Sequence, residues 1–289
     1  MEKRKILLHL DSDPQPSVFD RVVAIDSGVE EVLSYGNVKK DQIMSMVHGC
    51  IFTRHSRDLH HTAIYIGGSD LTQGEELLQE IRQHFISKWK LQVSVMLDSN
   101  GSNTTAAAAV RAATKHIDVG NVQALVLGGT GPVGQRVALL LARLGAKVRI
   151  GSRSLPRADS VCQSIRKSYP GSHVEAVSTA SSSDGPLALK NCELVIAAGA
   201  AGALLLPHKI RHTSTQLRLA IDLNAVPPVG IEGIEINDKA QHRDGLICYG
   251  AIGVGDIKMA IHRAAIQNLY ERNDLILTAE EIYDLALRL

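Results

Sequence analysis

Short apolar runs bounded by polar turn residues recur along the first third of the chain. They fall at Ile6–Leu10, Cys50–Thr53, Ala63–Ile66 and Val93–Leu97 and predict strands, with a helix-period stretch over Glu75–Phe85 between two of them. Asn103–His116 is Ala-rich after a Ser/Asn/Thr start, which predicts a helix leaving this region with Ser102 or Asn103 as its N-cap. A more regular series follows: strand Gln123–Leu127, helix Val133–Leu144, strand Lys147–Ile150, helix Pro156–Tyr169, then strands His173–Val177, Leu194–Ala197 and Arg218–Leu223. Such alternation predicts a doubly wound parallel sheet. The small-residue patch Ser178–Gly185 reads as a solvent loop, and Ile257–Tyr270 and Ala279–Leu287 as amphipathic helices that run back to the first domain. The expected fold is α/β with two domains: residues 1–104, joined by the returning 265–289 segment, and a parallel-sheet domain over 105–264.

The second series carries the clearest chemistry. Directly after a buried-type strand comes Gly128-Gly129-Thr130-Gly131-Pro132-Val133-Gly134, followed by a helical pattern. Gly129, Gly131 and Gly134 satisfy G-x-G-x-x-G in its strand–turn–helix setting. The first glycine is expected to permit a tight turn, the second to let backbone approach a pyrophosphate, and the third to let helix pack on strand. The helix start then offers its unpaired amides to phosphate, which makes Gly129, Thr130, Gly131, Pro132 and Val133 candidate dinucleotide contacts in a Rossmann-type domain.

The next strand bears on the cofactor. NAD sites place an acid near its end, about 20 residues on, to hold the ribose hydroxyls. Here the strand ends Ile150-Gly151-Ser152-Arg153-Ser154. Arg153 is suited to a 2'-phosphate, with Ser152 and Ser154 as hydroxyl donors, so NADP is favoured over NAD. A solvated loop arginine is the alternative. The missing acid also argues against a methyltransferase version of the fold.

Charge and cysteines narrow the setting. With 31 basic and 30 acidic residues there is no electrostatic footprint for nucleic acid or an anionic membrane. Cys50, Cys162, Cys192 and Cys248 form no C-x-x-C pair, so neither a disulfide framework nor a Cys-based zinc site is expected, and a reducing cytoplasm fits. The charges Glu2, Lys3, Arg4 and Lys5 precede an apolar run that stops at Asp11, too short for a signal peptide, and no run suits a membrane span.

Several motif matches fail on their context. Tyr35-Gly36-Asn37-Val38-Lys39 fits Y-x-x-x-K, but Gly36 and Asn37 predict a turn rather than the helix that pairing needs. His208 and His212 have helical spacing, yet no glutamate follows His208 and no third ligand is apparent, so no metal site is expected. His55, His60 and His61 read as exposed loop histidines. More suggestive are polar, glycine-rich junctions at predicted strand ends: Leu97–Thr105, Ala197–Ala200, Asp222–Ala225 and Gly250–Lys258. Ligands in open α/β sheets sit beyond such ends, which nominates Ala198, Ala200, Asn224 and Gly253 for the cofactor. The last junction opens a helix carrying Lys258 and His262, four residues apart.

Taken together, these segments resemble the NADP-dependent methylene-tetrahydromethanopterin dehydrogenases, a family distantly similar to methylene-tetrahydrofolate dehydrogenases. The resemblance rests on Pro16–Asp20, Tyr35–Val38, Leu97–Ala108, the glycine turn, Asn224–Pro228, Gly250–Lys258, His262–Ala264 and Ala279–Tyr283. It implies a pterin site between two domains and a homo-oligomer, with a trimer favoured. It assigns Phe19 to the aromatic near the pterin, Thr105 to the domain-linking segment, and Lys258 and His262 to the polar side chains facing substrate. Asp20, Asp98, Asn100 and Thr104 lie in matching segments and are expected to line the same site. The chain departs from the pattern over Arg54–His61 and at Asp256, which bears on pterin preference, loop closure and the use of NAD.

The implied reaction is hydride transfer from the methylene carbon between two pterin nitrogens to the nicotinamide, giving methenyl-pterin and NADPH. The nitrogen lone pairs stabilise the cation, so orientation and exclusion of water suffice and no acid–base dyad is needed. Lys258 is then expected to orient rather than to stabilise charge, and no coupled cyclohydrolase is expected. A shikimate- or quinate-type NADP dehydrogenase, requiring a Lys–Asp pair, and a non-catalytic NADPH sensor are the alternatives.

Overall fold

The computed structural model describes residues 3–289, so Glu2, counted among the opening charges, lies outside the described residues. In chain order the main elements are β1 (Ile6–Leu10), α1 (Val18–Asp26), β2 (Glu31–Tyr35), α2 (Lys40–Phe52), β3 (Thr62–Ile66), α3 (Leu71–Gln83), β4 (Ser94–Leu97) and α4 (Ser102–Thr114). There follow β5 (Gln123–Leu127), α5 (Pro132–Arg143), β6 (Lys147–Ser152), α6 (Leu155–Ser168), β7 (Val174–Ser178), α7 (Asp184–Leu189), β8 (Leu194–Ala197), α8 (His208–Arg211) and β9 (Leu219–Asp222). The chain closes with β10 (Gln241–Arg243), β11 (Leu246–Tyr249), α9 (Ala251–Asn268), β12 (Ile276–Leu277) and α10 (Ala279–Ala286).

Two compact units result. One comprises residues 3–104 of the described chain with Met259–Leu289, the other Thr105–Lys258. Both boundaries fall inside helices, α4 and α9, and the return to the first unit begins at Met259 rather than at 265.

The first unit is a five-stranded parallel sheet in the order β2-β1-β3-β4-β12. β3 is buried at every position, and β1 at all but its first, which is why both read as unbroken apolar runs. Edge strand β2 alternates exposed and buried residues and gives no such run, so the sequence pattern misses it. The pattern also mistakes Cys50–Thr53 for a strand. Cys50 and Ile51 continue the helical spacing of Ile43 and Val47, the buried stripe of α2, and their β-forming composition is overridden by packing. Tyr35–Lys39 is a turn, as expected: Asn37 has φ 54° and Lys39 precedes the first turn of α2.

The second unit is a seven-stranded sheet in the order β10-β11-β9-β8-β5-β6-β7, parallel except for the β10–β11 pair. The six parallel strands have the Rossmann order. The patch read as a solvent loop starts as the last residue of β7 and ends inside α7, whose Ala188 and Leu189 are buried. α9 starts at Ala251, so Gly253 and Gly255 lie in a helix rather than in a junction before it. A Cβ on Gly253 would meet the Asp238 carbonyl oxygen at 1.9 Å, so close packing of helix on loop already requires glycine there. Among the described residues, no helix is long and apolar enough to cross a membrane.

Candidate active site

Both sheets reverse their strand order at one strand: β1 in the first unit, between β2 and β3, and β5 in the second, between β6 and β8. Ligands in such folds bind beyond the carboxyl ends of strands at that reversal.

At the end of β5 the chain turns through Gly128, whose φ is +68° and whose Cβ would lie 2.6 Å from Gly199 Cα after β8. The left-handed turn therefore belongs to Gly128, one residue before the Gly129 expected to make it. Gly129 instead packs closely, its would-be Cβ 2.7 Å from Ile150 Cγ2, and donates its amide to the Gly151 carbonyl at 3.0 Å. Gly131, the N-cap of α5, leaves open ground: a Cβ there meets nothing nearer than Gly128 O at 3.4 Å. Gly134 sits as expected, its would-be Cβ 2.4 Å from Gly128 O, so helix and strand close on each other. Pro132 occupies the first turn, where its missing N–H costs nothing, and the following amides of Val133 and Gly134 have no partner inside the helix.

Beside this turn, Thr130 Oγ1 lies 3.4 Å from Ser152 Oγ, which also accepts from the Ser154 amide at 3.1 Å. Ser154 precedes α6 without using its side chain as a cap, and Arg153 between them is exposed. Ala198 extends β8 by donating its amide to Leu127 O, and Ala200 is exposed just beyond. Asn224 serves its own loop: Oδ1 accepts from the Val226 amide and Nδ2 donates to Pro228 O. Asp222, not singled out from sequence, anchors that loop by accepting from the Asn224 and Ile231 amides, while burial raises its carboxyl above the usual range.

The first unit presents a different surface. His9 of β1 pairs in register with Tyr65 of β3, and their rings meet edge-on at 5.3 Å. Tyr65 stacks on His262 at 5.9 Å with 12° between planes, and Phe19 of α1 reaches His262 at 6.1 Å. His9, Tyr65 and His262 are buried, whereas Phe19 is 50% exposed, so the wall ends in an accessible aromatic ring. Three carboxylates surround it. Burial, followed by the charges of Asp20 and Asp98, pushes the Tyr65 phenol well above its usual range. Burial lowers His9 more than Asp20 and Asp11 raise it, with Asp11 Oδ2 3.6 Å from His9 Nε2. The wall thus holds a neutral phenol and a neutral imidazole.

Of the residues expected to line the substrate, Phe19, Asp20 and His262 come together. Asp98 and Thr104 do not face outward: Asp98 accepts from the Asn103 and Thr104 amides at 2.9 and 3.0 Å and from Thr104 Oγ1 at 2.7 Å, with both residues buried. Asp98 is accordingly the residue that caps α4. Ser102, expected in that role, donates its hydroxyl back to Ser99 O, and Asn103 gives its side-chain amide to Leu97 O. Asn100 is exposed in a left-handed turn with φ 58°, Thr105 is half-buried in α4, and Lys258 is half-buried in α9. Asp256 forms an exposed ion pair with Lys239 at 2.9 Å. The segment Ser56–His61 is a 3-10 turn pinned by fully buried Leu59, with His60 and His61 half-buried and 4.0 Å apart rather than free in a loop.

His9, Asp11 and Tyr65 were missed by sequence reasoning. The available signal was a polar residue one place before the end of each of two apolar strands, β1 and β3. Cysteine chemistry is set aside by burial, which pushes the Cys50 thiol up to about 12 and those of Cys192 and Cys248 to about 11.

Fold and glycine turn together define a two-unit protein with the architecture of a nicotinamide-dinucleotide dehydrogenase. Residues 18–100 match the N-terminal domain of methylene-tetrahydromethanopterin dehydrogenase. Over 285 residues the chain is 41% identical to the bifunctional protein MdtA of Methylorubrum extorquens, covering 98% of each. It is 27% identical to the NAD(P)-dependent methylenetetrahydromethanopterin dehydrogenase of the same organism, over 99% of each. The chain belongs to the methylene-tetrahydromethanopterin dehydrogenase family. The chorismate mutase/shikimate 5-dehydrogenase fusion protein of Clostridium acetobutylicum is similar in fold alone, with a TM-score of 0.56 at 12% identity over 98% of this chain and 97% of that one.

Proposed function

We propose that the protein transfers a hydride between the methylene carbon of methylene-tetrahydromethanopterin and NADP. The observation that carries this reading is the 41% identity over 98% of the chain to a family member, joined to a glycine turn that fits the cofactor. The fit is physical: Gly131 leaves open ground where a Cβ would intrude on a phosphate, and the first-turn amides of α5 point at it. Bound there, the nicotinamide supplies a hydride acceptor.

The protein's own residues bind and orient. Val133 and Gly134 donate amides to the pyrophosphate, Thr130 and Ser152 flank it, and Arg153 with Ser154 holds the adenosine end, favouring a 2'-phosphate over a bare ribose. Phe19 stacks on the pterin, and His262, backed by Tyr65, offers its ring edge to the pterin's polar atoms. Asp98 and Thr104 position α4 so that Thr105 faces the substrate. Lys258 orients the substrate: a cation beside the forming methenyl cation would oppose it if it stood at the reacting carbon. Because the nitrogen lone pairs stabilise that cation, neutral groups suffice, which matches a wall whose phenol and imidazole are held uncharged.

Purified protein is expected to reduce NADP with methylene-tetrahydromethanopterin, and methylene-tetrahydrofolate and NAD in parallel assays rank pterin and cofactor. Binding of NADPH without turnover of either pterin would contradict the reading and favour a nucleotide-binding sensor.

A further inference from the structure

His208 and His212, set aside in the sequence for want of a third ligand, acquire one in the fold. Asp244 lies in the turn between β10 and β11, with φ 48°, and its Oδ2 stands 3.4 Å from His208 Nε2 and 3.6 Å from His212 Nε2. The two Nε2 atoms are 2.8 Å apart. All three side chains are about half exposed, so the point on which they converge is open to solvent.

We propose that His208, His212 and Asp244 form a binding site for a borderline divalent transition-metal ion, zinc or nickel, which clips α8 to the β10–β11 hairpin. Three observations carry this. First, a tetrahedral ion with bonds of about 2.0–2.1 Å holds neighbouring ligand atoms about 3.3 Å apart, and the separations here, 2.8, 3.4 and 3.6 Å, bracket that edge. Second, the ligands are braced from behind. Buried Arg211 donates to Asp244 Oδ2 and fixes the carboxylate, while the His208 amide donates to Glu232 Oε2 at 2.8 Å and fixes the start of α8. Third, Gly233 at φ +87° gives this arrangement room: a Cβ there would lie 3.0 Å from Arg211 Nη2 and 3.6 Å from His208 Cδ2. Two imidazoles and one carboxylate suit zinc or nickel, whereas magnesium and calcium prefer all-oxygen sites. A solvent molecule completes the fourth position. Arg211 draws on the same carboxylate oxygen, which moderates affinity without blocking the histidines.

None of its three ligands is among the residues assigned to hydride transfer, so it is tested separately from that reading. Untagged protein stripped of metal by a chelator is titrated with Zn2+ against a chromophoric competitor, and with Co2+ followed by visible absorption. One equivalent is expected to bind, with the intense d–d bands of a tetrahedral cobalt site and a raised thermal midpoint. His212→Asn and Asp244→Asn are expected to weaken binding about tenfold or more while leaving NADPH binding unchanged, which certifies that the second unit is folded. His208→Gln provides the same test if either variant fails to fold. Absence of one-equivalent binding, or binding that survives all three substitutions, would overturn the proposal.

Discussion

The two strand-order reversals of this molecule are built from opposite materials. At β5 the chain makes room by leaving side chains out: Gly128 and Gly134 bring backbone to backbone, Gly131 leaves open ground, and the first-turn amides of α5 lack partners inside the helix. At β1 it crowds side chains in, stacking His9, Tyr65 and His262 and ringing them with Asp11, Asp20 and Asp98. A phosphate is recognised by partial charge on N–H groups, for which no side chain is needed. A flat polar heterocycle needs a surface and fixed donors, so a wall of aromatic groups suits it.

The largest effect that separates the two is expected from Gly128→Ala. It forces an L side chain into a left-handed conformation and against Gly199 Cα, costing about 1–3 kcal/mol from backbone strain alone. The KM for NADP should rise about tenfold or more, with pterin affinity in direct titration unchanged; loss of both would show that the regions are not separable. Asp98→Ala is expected next. Removing the acceptor of three hydrogen bonds at a buried helix start should cost about 2–4 kcal/mol of stability, with Asp98→Asn milder. A change in pterin KM without loss of stability would instead make Asp98 a substrate contact.

Arg153→Ala sharpens the cofactor side and should raise the KM for NADP about tenfold while leaving that for NAD nearly unchanged. Equal effects on both would remove the basis for NADP preference.

The smallest effect concerns pH. His9 is kept neutral in the fold by burial, below its ordinary 6.5. The unfolded chain therefore takes up that proton first as pH falls below about 6.5, and stability drops with it. The thermal midpoint should fall between pH about 7.5 and about 5.5, and less so in His9→Gln; an equal fall in both would show that other groups set the acid response.

Legibility in the sequence followed the same division. The glycine turn could be read because close backbone approach demands one residue type, and strand, turn and helix follow each other within a few positions. Even so, the left-handed residue was displaced by one, since G-x-G-x-x-G does not say whether Gly128 or Gly129 carries the positive φ. The wall was read only in part. Phe19, Asp20 and His262 were reached through family resemblance, while His9 and Tyr65 look like stray polar residues until parallel register places them opposite each other. Asp98 and Thr104 show the converse ambiguity: polar residues at a strand end are buried and bonded to one another, and the sequence does not separate helix capping from ligand contact. Edge strand β2 and the short β10 and β12 left no apolar run long enough to register, β11 was passed over although Leu246–Tyr249 is an apolar run as long as β8, and the packing of α2 outweighed the β-forming residues at its end.

The central claim is that hydride passes directly from the methylene carbon of the pterin to the nicotinamide, with no protein acid or base in the step. Methylene-tetrahydromethanopterin deuterated at the methylene carbon, turned over with NADP in ordinary water, tests this most directly. The account predicts that the NADPH formed carries the deuterium with no hydrogen from solvent at that position; solvent hydrogen there would contradict direct transfer.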